Sequence, residues 1–103
     1  MKAVIVTYHS EIDKRFLEMV EKMGVSDYIF HPKVLARDCD GRQRGEQHAI
    51  GTDSMLVAFL EEDEAEEFYC RIVDYRKEEK IRKHMRVFML QVEKYECNRN
   101  PTT

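Results

Sequence analysis

Two polar segments of the sequence hold the residues that could bind a ligand. The first is the stretch 36–52, ARDCDGRQRGEQHAIGT, which is much longer than a chain reversal needs. A long loop within a compact domain is usually either functional or disordered. The second is the stretch 77–84, KEEKIRKH, with basic residues Lys77, Lys80, Arg82 and Lys83. Those side chains could clamp an anion, or they could be the solvated end of a helix, where positive charge complements the dipole.

Cysteine and histidine side chains of the sequence could also form a metal site. Cys39 and His48 share the first segment, and thiolate and imidazole are ligands that zinc and copper accept. His9, His31 and Cys97 are other candidates. The sequence has no HxxxH motif and no closely paired cysteines. Isolated surface histidines and an incidental thiol are therefore the alternative interpretation.

Length, charge and composition restrict the class of protein. The 103 residues suit one domain with a modest core, a size that favours oligomerisation. With 17 basic and 20 acidic residues, the formal net charge of −3 argues against general nucleic-acid binding. No apolar run approaches the roughly 20 residues that span a membrane. The N-terminal MKAVIVTYHS is typical of a strand rather than a signal peptide.

Reactive groups are scarce in the sequence. Three widely spaced cysteines without a CxxC motif indicate a reduced, cytoplasmic setting. No serine elbow, nucleophile beside a base or clearly paired carboxylates can be found. The sequence therefore predicts a protein that is not an enzyme.

The apolar pattern predicts four strands and two helices. In chain order they are a strand over 2–8, a helix over 10–23, a strand over 26–36, a strand over 54–60, a helix over 63–80 and a strand over 87–95. Ser10 and Asp63 are the predicted helix N-caps, and Gly24 is the predicted C-terminal glycine of the first helix. Pro32 predicts a sheet edge or a bulge, and Cys70 is expected to be a small packed residue of the second helix.

The order β-α-β-β-α-β is typical of the ferredoxin-like α+β fold. Right-handed crossovers place both helices on one face of a four-stranded antiparallel sheet. We expect one domain over residues 1–96 and a flexible tail over 97–103. Alternating positions of the first, third and fourth strands are apolar on both faces. The face without helices is therefore expected to pack against another subunit.

Several motifs resemble the P-II signalling family and its P-II-like relatives. The opening MKAVIV is similar to the family's first strand, and Met23-Gly24-Val25 is similar to the turn into its second strand. The segment 41–45, GRQRG, resembles the Gly-Arg-Gln-Lys-Gly at the base of the family's T-loop. The closing VFMLQVE resembles the last strand, and 45–50, GEQHAI, resembles the glycine-x-histidine segment of the P-II-like branch.

The resemblance implies a trimeric sensor with adenine nucleotides such as ATP, ADP or AMP in clefts between subunits. The nucleotide-binding residues it implies are Gly41, Arg42, Gln43, Arg44, Gly45, Lys80, Arg82 and Lys83. A partner protein, such as a membrane transporter or a metabolic enzyme, would dock on the loop 37–52. The loop residues implied for that contact are Arg37, Asp38, Asp40 and His48. The family's second phosphate loop is glycine-rich, whereas 77–84 of this chain contains no glycine.

Three functional hypotheses follow from the sequence. The first is a P-II-like regulator that senses a small anionic effector. The second is a metal-responsive ferredoxin-like oligomer linked to cation tolerance or efflux, with Cys39 and His48 as the ligands. The third is a small enzyme on the same fold, for which no acid–base pair is visible.

Overall fold

The computed structural model describes residues 1–36, 53–77 and 85–98. Its strands are β1 (Lys2–His9), β2 (Tyr28–Val34), β3 (Asp53–Leu60) and β4 (Arg86–Gln91). Its helices are α1 (Asp13–Lys22), which follows a 3₁₀ turn over Ser10–Ile12, and α2 (Glu62–Lys77). The order of elements confirms the predicted ferredoxin-like α+β plan.

The four strands form one antiparallel sheet in the order β2-β3-β1-β4. Val4 pairs with Ala58 of β3 on one side and with Met89 of β4 on the other. β1 is thus a central strand, as its continuous apolar run indicates. β2 and β4 are the two edges.

The core lies between the sheet and the two helices. Val4, Val6 and Tyr8 of β1 are fully buried on the helix side. They pack in one cluster with Phe16 of α1 and Ile72 of α2. The remaining fully or nearly fully buried members come from both helices, from β3 and from the connections at Ile12, Val25 and Met85: Ile12, Val20, Val25, Leu56, Ala58, Leu60, Ala65, Phe68 and Met85.

The structure confirms the predicted C-terminal end of α1 but not its predicted N-terminal cap. Gly24 has φ = 81°, and its N–H donates to the Glu21 carbonyl at 3.0 Å, while the N–H of Val25 donates to the Val20 carbonyl at 3.3 Å. This pair of bonds is a Schellman motif, and it confirms the predicted glycine. The predicted Ser10 cap is wrong, because the Glu11 N–H donates to His9 Nδ1 at 3.1 Å.

Helix α2 begins one residue before its predicted cap. The N–H of Ala65 donates to the Glu61 carbonyl at 2.8 Å, so Asp63 lies inside the first turn and does not cap the helix. Cys70 is exposed rather than packed. The buried face repeats at Ala65, Phe68 and Ile72, a three- to four-residue spacing that leaves position 70 on the opposite side.

The edge strand β2 is interrupted where proline predicted an irregularity. The pairing of β2 with β3 shifts register between His31 and Val34. Lys33 adopts a left-handed φ of 61°. Pro32 therefore lies in a bulge on an edge strand, which confirms the prediction and interrupts a surface that would otherwise offer an open hydrogen-bonding ladder.

Strand β4 is shorter than predicted at its C-terminal end. It ends at Gln91, because Lys2, the partner of Gln91, is the first residue of β1. The N–H of Val92 then donates to the Met1 carbonyl at 3.1 Å. Further along, the Tyr95 ring packs on Phe59 with centroids 5.3 Å apart. The chain beyond β4 is thus held against the sheet at least as far as Tyr95.

Candidate functional site at one end of the sheet

Both ligand-binding segments predicted from the sequence attach to the same end of the sheet. Val34 pairs with Asp53, so residues 37–52 leave and re-enter the described chain at neighbouring positions. Asp53 also pairs with His9, and Arg86 pairs with Thr7. The segment 78–84 therefore rejoins the chain beside the same end of β1. We call this region, defined by Thr7, His9, Asp53, Met85 and Arg86, the loop-bearing end.

A hydrogen bond holds the two flanks of the second segment together. Arg76, near the end of α2, donates from Nε to the Met85 carbonyl at 2.7 Å. The bond is partly buried and involves a charged donor, a combination stronger than a neutral hydrogen bond in water. The positions from which residues 78–84 depart and return are thereby fixed relative to each other.

Thr7 and Arg86 carry buried hydrogen-bonding groups at the loop-bearing end. Thr7 Oγ1 and Arg86 Nε are both buried, and neither has a hydrogen-bond partner in the described part of the chain. The two residues are direct partners across β1 and β4, so their side chains share one face of the sheet. A buried donor without an acceptor costs about 1–3 kcal/mol. An anionic group placed beside Arg86 Nε would remove that cost.

Buried polar groups also lie on the helix side of the same end. Tyr8 and Ser54 are cross-strand partners, both fully buried, and their hydroxyl oxygens lack a hydrogen-bond partner among the described residues. Burial raises the pKa of Tyr8 far above its usual value, and the nearby Asp13 carboxylate raises it further. Tyr8 stays protonated and packs on Phe16 with ring centroids 4.5 Å apart.

The face of the sheet without helices is mostly apolar. We call it the bare face, formed by the apolar residues Ala3, Ile5, Ile29, Met55, Val57, Phe59, Phe88 and Leu90 and the polar residues Thr7, His31 and Arg86. Ile29, Phe88 and Leu90 are 57%, 45% and 53% exposed, which places three of the four large exposed hydrophobic side chains of the described chain on this face. Thr7 and Arg86 lie at its rim, so the loop-bearing end and the bare face are continuous.

The site residues implied by the family resemblance lie outside the described residues, whereas Lys77, the first basic residue of the second segment, is the exposed last residue of α2. This holds for all those implied in nucleotide binding: Gly41, Arg42, Gln43, Arg44, Gly45, Lys80, Arg82 and Lys83. It holds also for Arg37, Asp38, Asp40 and His48 of the partner-binding loop and for Cys39 of the metal alternative. These assignments stay predictions. Thr7 and Arg86 are not evident as site residues from the sequence, because their pairing depends on strand register.

The described histidines and cysteines are not grouped for metal binding. His9 Nδ1 accepts from the Glu11 N–H, and His31 Nδ1 lies 2.8 Å from the Pro32 carbonyl oxygen. Cys70 and Cys97 are free and exposed. Within residues 1–36, 53–77 and 85–98, no three metal-binding side chains come together.

Comparison with known proteins shows a likeness to solved structures. No protein-family profile and no curated protein matches the chain. A Thermus thermophilus protein described as PII-like and signalling is 25% identical, with a TM-score of 0.53, over 85% of this chain and 81% of that one. CPII from Thiomonas intermedia, a nitrogen regulatory PII-like protein, was solved with ADP, AMP and bicarbonate. It has a TM-score of 0.64 at 11% identity and covers 86% of this chain and 88% of its own.

The fold is that of the PII-like proteins, which confirms the resemblance predicted from the sequence. CPII was also solved bound to ADP and bicarbonate; that structure has a TM-score of 0.60 at 14% identity, over 90% of this chain and 88% of that one. In the described part of the chain, neither helix is long and apolar enough to cross a membrane.

Proposed function

We propose that this protein is a PII-like regulator, not an enzyme, that binds an adenine nucleotide at the loop-bearing end and signals through residues 37–52. One observation carries the proposal. The two segments expected to contact phosphate join the fold beside the same pair of buried polar groups, Thr7 Oγ1 and Arg86 Nε, which lack hydrogen-bond partners among the described residues. The structural likeness to CPII, which was solved with ADP and AMP, supports an adenine nucleotide as the anion.

The proposed site combines strand residues with both segments. Arg86 donates to a phosphate oxygen from the sheet, and Arg42 and Arg44 donate from the first segment as planar forks suited to phosphate. Gly41 and Gly45 allow the backbone to approach the ligand closely. Lys80, Arg82 and Lys83 supply positive charge from the second segment in place of a glycine-rich nest, and Gln43 contacts the nucleotide or a second effector.

The protein functions as a homotrimer in this proposal. The bare face is apolar and exposes Ile29, Phe88 and Leu90, a contiguous surface of the kind that marks protein interfaces. Since Arg86 lies at the rim of that face, packing of subunits there would place the nucleotide in a cleft between them. The domain comprises residues 1–96, with 97–103 as a tail, and works in the cytoplasm.

Signalling would proceed by a shift of population. Nucleotide bound beside Arg86 favours one conformation of residues 37–52, and that conformation alone fits the partner protein. The partner is a membrane transporter or a metabolic enzyme. Arg37, Asp38, Asp40 and His48 would make the contact, because they lie in the loop but outside its phosphate-binding base.

Calorimetric titration with ATP, ADP, AMP and cyclic AMP tests the proposal. At least one of them is expected to bind saturably and to raise the melting temperature. Arg42→Ala and Arg86→Ala should each weaken binding about tenfold or more, as expected for loss of a charged hydrogen bond. Lys14→Ala, an exposed substitution on α1, is the matched control and should bind as the wild type does. No heat and no stabilisation with any of the four nucleotides would refute the nucleotide site.

A further inference from the structure

We propose that a groove between α1 and α2 is a docking surface for an acidic amphipathic helix of a partner protein. The groove encloses about 410 Å³ on the outer surface of the two helices. We call it the outer groove. It is separate from the loop-bearing end, so the inference does not depend on the proposed nucleotide site.

The floor of the outer groove is apolar and adaptable. Met19 of α1, Met23 at the C-terminal end of α1 and Tyr75 of α2 line it, and all three are partly buried hydrophobic residues that pack against the core. Methionine is unbranched and polarisable, and methionine-rich surfaces adjust to the side chains of different partners. Such a floor suits the apolar stripe of an amphipathic helix.

The walls of the outer groove are basic. Arg15 and Lys22 of α1 and Arg71 of α2 line it, with Glu18 as its one acidic lining residue. This local excess of positive charge contrasts with the net charge of −3 for the chain. Within residues 1–36, 53–77 and 85–98, none of the three basic side chains forms an ion pair. Their charges are therefore available to a partner.

The positive charge of the outer groove is concentrated at one of its ends. Towards Gly24 the groove continues into a smaller hollow of about 210 Å³, where Glu64 and Glu67 join Lys22 and Arg71. Charges balance there, whereas the portion lined by Arg15 has the positive excess. The acidic flank of the partner helix would thus lie along Arg15, and its apolar stripe would lie over the methionines.

The position of the outer groove keeps it accessible in an oligomer. The helices cover one face of the sheet, and the exposed apolar residues Ile29, Phe88 and Leu90 lie on the other. Subunits that pack through the bare face would leave the helices outside. The groove is concave and has cations on both walls. This shape suits an acidic helix better than it suits a flat anionic membrane.

A designed peptide tests the inference with the full chain. The probe is a fluorescein-labelled helical 18-mer with leucines at i, i+3, i+4 and i+7 spacing, flanked by glutamates. The comparison peptide carries lysine in place of every glutamate. Fluorescence anisotropy should show saturable binding of the glutamate peptide and at least tenfold weaker binding of the lysine peptide, because the lysines face three like charges.

Charge reversal then locates the binding. The triple variant Arg15→Glu, Lys22→Glu, Arg71→Glu should bind the glutamate peptide about tenfold or more weakly. The control Lys14→Glu, Lys77→Glu reverses exposed charges on the same helices outside the groove and should bind normally. Circular dichroism checks that both variants are folded. Equal affinity for the two peptides, an undiminished triple variant, or binding to phosphatidylserine vesicles but not to the peptide would each overturn the inference.

Discussion

Arg76 Nε donates a hydrogen bond to the carbonyl oxygen of Met85 and so joins the end of α2 to the start of β4. The bond brackets residues 78–84 and is partly buried. Arg76→Ala should lower the free energy of unfolding by about 1–3 kcal/mol, because it leaves the Met85 carbonyl without its donor. Urea denaturation measures the loss. Arg76→Lys should restore only part of it, since an ammonium group lacks the fixed geometry of the guanidinium.

The same variant should also affect ligand binding. If the hydrogen bond from Arg76 to Met85 holds residues 78–84 beside Arg86, Arg76→Ala should weaken nucleotide binding without removing a phosphate contact. Calorimetry on a folded Arg76→Ala protein measures the affinity. An unchanged affinity would show that the Arg76–Met85 bond stabilises the fold but does not position the proposed site.

Polar substitution on the bare face should change the oligomeric state. Phe88→Asp places a charge in the middle of the apolar surface formed with Ile5 and Val57. In the proposed trimer, that charge would be buried without a partner. Light scattering coupled to size exclusion should show a trimer for the wild type and monomers for the variant.

Leu35→Asp provides the control for this experiment. Leu35 is 59% exposed, comparable with Leu90, but it lies after β2 and outside the sheet. It should leave the trimer intact. A monomeric wild type, or a variant Phe88→Asp that stays trimeric, would contradict the role of the bare face.

Gly24→Ala should destabilise the fold through its backbone alone. Gly24 has φ = 81°, whereas a Cβ placed there would meet no atom within 4 Å. The cost is therefore that of a left-handed conformation, about 1–2 kcal/mol. Ser26→Ala, an exposed neighbour, is the control for urea denaturation. A Gly24→Ala protein as stable as the wild type would show that the Schellman end tolerates a side chain.

Tyr95 should hold the C-terminal segment in a pH-dependent way. A hydrogen bond from its hydroxyl to the Asp27 carboxylate, and the nearby Cys97 thiol, raise the pKa of Tyr95 to about 12. A raised pKa means that the protonated tyrosine is favoured in the folded state. The stabilisation is present below pH 10, the usual value, and is lost as the pH rises through about 12.

Spectroscopic titration checks this behaviour. Tyrosinate absorbance of the wild type minus that of Tyr95→Phe should reveal one group that titrates near pH 12. Tyr95→Phe keeps the ring on Phe59 and removes only the hydroxyl, so the segment should respond less to pH between the usual value of 10 and about 12. A difference titration centred near the usual value would show that the Asp27 contact is absent in solution.

The element order and some chain breaks were predictable because they depend on local sequence. Gly24 ends a helix through its own backbone freedom, and Pro32 lacks the N–H that a ladder needs. The helix starts were not predictable in the same way. Ser10 and Asp63 are good caps by residue type. However, the His9 imidazole caps the turn before α1, and α2 starts at Glu62, before Asp63.

The described part of the candidate site depends on relations that the sequence alone does not reveal. Thr7 and Arg86 meet only through the register of two strands far apart in the chain. Their importance comes from buried atoms without partners among the described residues, which a sequence does not show. The C-terminal limit of β4 depends likewise on where β1 begins. By contrast, the segment 41–45 was found by its resemblance to a known motif.

Nitrogen–proton correlation spectra of the isotope-labelled protein, recorded during titration with AMP, ADP and ATP, show where on the protein a nucleotide binds. We expect saturable amide shifts at Thr7, Asp53 and Arg86 and within residues 37–52. Amides at the opposite end of the sheet, such as Lys2 and Leu60, should stay in place. Shifts confined to that opposite end, or no shifts with any of the three nucleotides, would contradict a nucleotide site at the loop-bearing end.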